Sequence, residues 1–78
     1  MYILKSKISN DKFYVGITDN IERRLEEHNS KPTNSYTVKY APWDLVTYVV
    51  LRNRRKAEKL EIYFKSHSGR IFYKSKLI

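Results

Sequence analysis

Phe13-Tyr14-Val15-Gly16-Ile17-Thr18, running straight into Asp19-Asn20-Ile21-Glu22-Arg23-Arg24-Leu25-Glu26-Glu27-His28, is the stretch whose reading decides the fold. Aromatic and β-branched residues fill the first half, which fits a strand over Lys12 to Ile17. In the second half Ile21 and Leu25 lie four apart as an apolar seam, and Asp19 precedes Glu22 by three positions as a capping box would. The period therefore switches from strand to helix at Asp19. Upstream, Tyr2 to Ser6 reads as another short strand, and the polar Ser9-Asn10-Asp11-Lys12 between the two reads as a turn, so the N-terminal part is a hairpin.

Downstream, the helix is expected to stop near Asn29 or Ser30, because Pro32 lacks a backbone donor and biases Lys31 away from helix. Residues 31–43 carry Pro32, Asn34, Ser35 and Pro42 without a sustained period and read as a long connection, with Tyr36, Lys39 and Tyr40 available for contacts. Trp43 to Leu51 is nearly continuous in β-forming residues, as expected of a central strand buried on both faces. From Asn53 the chain turns helical, with Ala57, Leu60 and Phe64 at helical spacing and Gly69 as a left-handed stop. A last short helix or turn is expected over Arg70 to Leu77. The expected fold is thus a single α+β domain over residues 1–78: a small three-stranded antiparallel or mixed sheet flanked by helices, in the order β-β-α-β-α-α.

Composition excludes several classes. A chain of 78 residues with 41% hydrophobic and 14% aromatic residues can build one small core, and it contains no cysteine for a disulfide framework or a thiolate zinc site. No apolar run approaches the length of a membrane span, and Lys5 interrupts the N-terminal Met1-Tyr2-Ile3-Leu4 before a signal-peptide core forms, so a cytoplasmic protein is expected. Sixteen Lys and Arg against eight Asp and Glu leave a net charge of +8. The excess is lopsided: residues 52–78 hold nine basic side chains against only Glu58 and Glu61. Such asymmetry points to a polyanion, with nucleic acid ahead of an acidic membrane surface.

Three side chains stand out for chemistry. Glu61 interrupts the apolar stripe of the last long helix, so it needs either a basic neighbour, Lys65 or Arg54, or a divalent cation. Arg24 and His28 share a helix face beside the Ile21–Leu25 seam. Arg24 either clamps a phosphate or pairs with Glu27; His28 either moves a proton or caps the last turn. Gly16 after Tyr14 permits a close approach where the strand ends. A Gly-rich phosphate loop, a Ser-His-Asp set and a paired acidic cluster are all absent from the sequence, which argues against a Walker nucleotide enzyme, a triad hydrolase and a two-metal nuclease.

Taken in order, Tyr2-Ile3-Leu4, Phe13-Tyr14-Val15-Gly16, Ile21 to Asn29 with Arg24 and His28, Pro42-Trp43-Asp44-Leu45 and Ala57 to Glu61 resemble the GIY-YIG endonuclease domain over nearly the whole chain. The resemblance is to the small stand-alone bacterial branch, which is similar to the nuclease domain of structure-selective endonucleases. It implies a DNA endonuclease of repair, recombination or DNA processing that uses a single Mg²⁺ or Mn²⁺, with a non-catalytic nucleic-acid binding module as the alternative. By resemblance Tyr2 and Tyr14 are the motif tyrosines, Gly16 the motif glycine, Arg24 the phosphate contact, His28 a further catalytic residue and Glu61 the metal ligand. Ile17 stands where excision-repair members carry lysine, so Tyr2, Tyr14 and His28 all remain candidates for the general base. Lys39, Arg54, Arg55, Lys65, Arg70 and Lys74 are the expected DNA contacts. Duplex or branched DNA is the expected partner, and a homodimer or a partner subunit would supply a second cut.

Overall fold

The computed structural model describes residues 1–30 and 35–78. Among them the elements run β1 (Tyr2–Ser6), β2 (Phe13–Gly16), α1 (Ile21–Ser30), α2 (Ser35–Lys39), β3 (Trp43–Tyr48), α3 (Arg54–Lys65) and α4 (His67–Lys76). The sheet is antiparallel throughout, in the order β2-β1-β3. This is the expected α+β arrangement and element order with one short helix added between α1 and β3.

Alternation along β1 divides the core into two layers. Tyr2 and Leu4 face α1 and pack with Trp43, Ile21 and Leu25. Met1 and Ile3 face the other way and pack with Val15, Phe64 of α3 and Tyr73 of α4. Burying each of these large side chains contributes about 1.5–3 kcal/mol before the entropy of ordering is subtracted.

The central strand is β1, and the expectation that Trp43 to Leu51 would be central is corrected. β3 ends at Tyr48, lies at a sheet edge and is only partly buried, and Val50 beyond it is 80% exposed. The reason is long-range. The Met1 ammonium donates to the Val49 carbonyl at 3.0 Å and the Val49 amide donates to the Met1 carbonyl at 2.8 Å, which extends the β1–β3 pairing by one residue pair. β1 also pairs with β2 through the hairpin, so it is covered on both edges.

Local details differ too. Asn20, rather than Asp19, caps α1 by accepting the Arg23 amide at 3.0 Å, and Asp19 pairs with the Arg23 guanidinium at 3.3 Å. The expected long connection contains α2, held by the Trp43 indole donating to the Thr37 carbonyl at 3.1 Å; Pro32 and Asn34 lie outside the described residues. Gly69 is not a left-handed stop, because α3 already ends at Ser66, which also caps α4 by accepting the Gly69 amide at 3.1 Å. Gly69 lies inside α4 without a positive φ, and a Cβ there would strike the Tyr63 carbonyl oxygen. A side chain is thus excluded by the close approach of two helices. Gly69→Ala is expected to cost about 1–3 kcal/mol, read as a lower urea midpoint, whereas a surface helix glycine changed to alanine would gain stability.

Candidate active site

β1 and β2 place their motif residues directly across from one another. Tyr2 pairs with Gly16 and Leu4 with Tyr14. A Cβ on Gly16 would lie 2.5 Å from the Tyr2 hydroxyl oxygen, so the glycine is required by the phenol that crosses over it. The Tyr14 ring follows on the same face, 6.3 Å from the Tyr2 ring.

α1 adds Arg24 and His28, one turn apart, to the same spot. His28 is fully buried, with Nε2 3.0 Å from the Tyr2 hydroxyl oxygen and its ring 4.7 Å from that of Tyr14. The Arg24 Nε–H donates to the same hydroxyl at 3.4 Å, and its Nη1 donates to Glu27 at 3.3 Å. Arginine can only donate, so the Tyr2 oxygen accepts there and its own proton is left for His28 Nε2. That places the imidazole hydrogen on Nδ1, which among the described residues is the buried side-chain nitrogen without a partner. The opposite tautomer would leave the phenolic proton unpartnered as well, so donor counting assigns a directed chain from Arg24 through Tyr2 to His28.

Burial sets the protonation of this chain. It pushes the Tyr2 hydroxyl above its ordinary pKa, opposed by the hydrogen bond from Arg24. It pushes His28 below its ordinary value, helped by the Arg24 charge and opposed by Glu27. The charged and titratable groups around His28 are thus Arg24 and Glu27 on α1, Tyr2 on β1 and Tyr14 on β2. A histidine held neutral stabilises the fold above its unfolded pKa of about 6.5. That contribution is lost as pH falls below 6.5 toward the lowered folded-state value, because the unfolded chain takes up the proton first. Urea unfolding is therefore expected to show stability falling between about pH 7 and 5, with a shallower fall in His28→Gln.

Glu61 enters from the other layer. It lies on α3, partly buried, and accepts a hydrogen bond from Lys65 at 3.2 Å. Its charge bears on both the Tyr2 hydroxyl and the Met1 ammonium, which puts it at the same end of the sheet. The expected basic neighbour is thus present, and it is Lys65 rather than Arg54. Among the described residues no three His, Asp or Glu side chains gather into a protein-made metal cage. A lone carboxylate that keeps about a quarter of its surface open nevertheless fits a small hard cation, which keeps several waters and needs few protein ligands.

Of the expected nucleic-acid contacts, Lys65, Arg70 and Lys74 come together along a groove of about 400 Å³ beside β2. The other three are scattered. Lys39 lies 5.5 Å over the Tyr40 ring, Arg54 borders a separate hollow with Met1 and Thr18, and Arg55 is exposed on α3. Lys12, Phe13 and Tyr73 also line the groove and were not singled out from the sequence. The signal for Lys12 was its place at the start of the second strand, beside Tyr14.

An antiparallel three-stranded sheet with a Tyr–Gly pairing at the open end of its hairpin and an Arg–His helix against it defines a distinct class of small α+β domain. Over residues 1–75 the chain matches the family model described as the GIY-YIG catalytic domain, and it belongs to that family of nucleases. Among its relatives is a UPF0213 protein of Clostridium perfringens, 37% identical over 65 residues, which span 83% of this chain and 68% of that protein. Another is a UPF0213 protein of Bacillus cereus, 37% identical over 57 residues, 73% of this chain and 59% of that protein. No solved structure matches the chain significantly. Among the described residues no helix is long and apolar enough to cross a membrane.

Proposed function

We propose that this chain is a metal-dependent DNA endonuclease that hydrolyses phosphodiester bonds with a single divalent metal, in DNA repair, recombination or processing. The observation that carries this reading is the Arg24–Tyr2–His28 hydrogen-bonded chain at the mouth of the motif hairpin.

Each residue then has a task. Arg24, always cationic and one-quarter exposed, turns its outer nitrogens to a phosphoryl oxygen and neutralises charge as it grows there. Tyr2 takes the proton of the attacking water at its oxygen while passing its own proton to Nε2 of neutral His28. The raised pKa of Tyr2 makes such a relay easier than a free phenolate, and the lowered pKa of His28 keeps its acceptor nitrogen open at neutral pH. Tyr14 packs against the His28 ring and holds it in place. Glu61 would hold Mg²⁺ or Mn²⁺, whose bound charge would neutralise the phosphate and the leaving oxygen. Before the cation binds, Lys65 keeps the Glu61 carboxylate paired.

Arg24 gives the direct test. Arg24→Ala is expected to lower the cleavage rate of a labelled DNA about 10²-fold, with Arg24→Lys intermediate because it keeps the charge and loses the fork. Wild-type cleavage by both variants would overturn the assignment.

A further inference from the structure

The groove beside β2 takes no part in the proton relay, yet the two share a wall. Tyr14 lines the groove and also packs on His28, so one residue joins the two. Lys12, Lys65, Arg70 and Lys74 border it against a single acid, Asp11, whose carboxylate already accepts the Ser9 hydroxyl at 2.9 Å. The remaining walls are rings, chiefly Phe13, Tyr36 and Tyr73. Tyr36 is 39% exposed, but it is not loose: its hydroxyl donates to the Phe13 carbonyl at 2.8 Å and its ring stacks on Trp43 at 5.9 Å and 24°. Lys74 stands 5.3 Å over the Phe13 ring, which puts a cation and an aromatic face side by side.

We infer that this groove holds an unpaired DNA strand next to the scissile phosphate, with a base against the Tyr36 and Phe13 rings and its phosphates on Lys65, Arg70 and Lys74. The inference rests on the proposed nuclease function, whose substrate class it narrows to DNA with a single-stranded tail or flap. Aromatic faces bordered by cations are what a single strand needs, because every base has a face to stack and every linkage a charge to neutralise. A volume of about 400 Å³ lies in the range of small-ligand pockets. A duplex presents a convex surface of phosphates with its base faces stacked inside. It meets the rim of such a groove and cannot fill it.

The test is binding to the full chain in EDTA, followed by fluorescence anisotropy with labelled oligo(dT) and with a blunt duplex of equal length. Oligo(dT) is expected to bind the tighter of the two. Arg70→Glu and Lys74→Glu, both on the exposed face of α4, are each expected to weaken oligo(dT) binding several-fold and to flatten its salt dependence by about 0.7 in log–log slope per lost contact. Tyr36→Ala is expected to weaken oligo(dT) binding about tenfold and leave duplex binding unchanged. The two charge variants carry the test if Tyr36→Ala fails to fold. Equal or tighter binding of the blunt duplex, or wild-type oligo(dT) affinity in both charge variants, would overturn the inference. Because no cleavage is needed, the two proposals fail separately. A chain that binds oligo(dT) through the groove and never cuts DNA refutes the nuclease alone. One that cuts blunt duplex with the groove variants unaffected refutes the groove alone.

Discussion

Tyr2→Phe is expected to lower DNA cleavage by about 10²–10⁴-fold, the range for loss of a positioned proton-transfer group. The substitution removes one oxygen and keeps the ring that packs with Leu4 and Trp43. It also strands His28, which is fully buried, with neither nitrogen partnered. Leaving such a group unpaired costs about 1–3 kcal/mol, so the melting temperature is expected to fall by about 5–15 °C. Cleavage measured well below that transition separates the two effects. A variant that melts lower yet cuts at the wild-type rate would show that the Tyr2–His28 bond only holds the helix to the sheet.

Glu61→Gln has the opposite signature. Cleavage is expected to fall by more than about 10³-fold, since a neutral amide cannot replace a carboxylate in holding a hard cation. Stability is expected to change by less than about 0.5 kcal/mol, because the Lys65 ammonium that loses its partner is more than half exposed. A second readout is independent of activity: millimolar Mn²⁺ should raise the melting temperature of the wild type, and that rise should vanish in the variant. If Glu61 served only its ion pair with Lys65, cleavage and the Mn²⁺ shift would both survive.

These residues were legible in the sequence for a local reason. Arg24 and His28 are one helical turn apart, Gly16 ends a strand, and Glu61 interrupts an apolar stripe; each is a short-range irregularity that the periods of helix and strand expose. The structure adds what no local pattern contains. The Tyr2–His28 bond joins residues 26 positions apart, and the place of β1 at the sheet centre depends on Tyr2 to Ser6 pairing with Trp43 to Tyr48, about 40 positions away. A β-branched run such as Leu45 to Val50 reads the same at an edge as at a centre, since both are rich in strand formers. The five residues of α2 are too few to display a period. Gly69 was misread because its need is set by the Tyr63 carbonyl of a neighbouring helix, while its sequence setting is that of a helix end. The groove escaped for the same reason, being assembled from β2, Tyr36, α3 and α4.

The most direct test of the central claim is incubation of the wild-type chain with end-labelled DNA, single-stranded, flapped and blunt duplex, in Mg²⁺, Mn²⁺ or EDTA, resolved on a denaturing gel. The account predicts discrete fragments that require the metal, accumulate faster on the flapped and single-stranded substrates, and are absent with Glu61→Gln. DNA left intact in both metals, or cut equally well in EDTA, would contradict it.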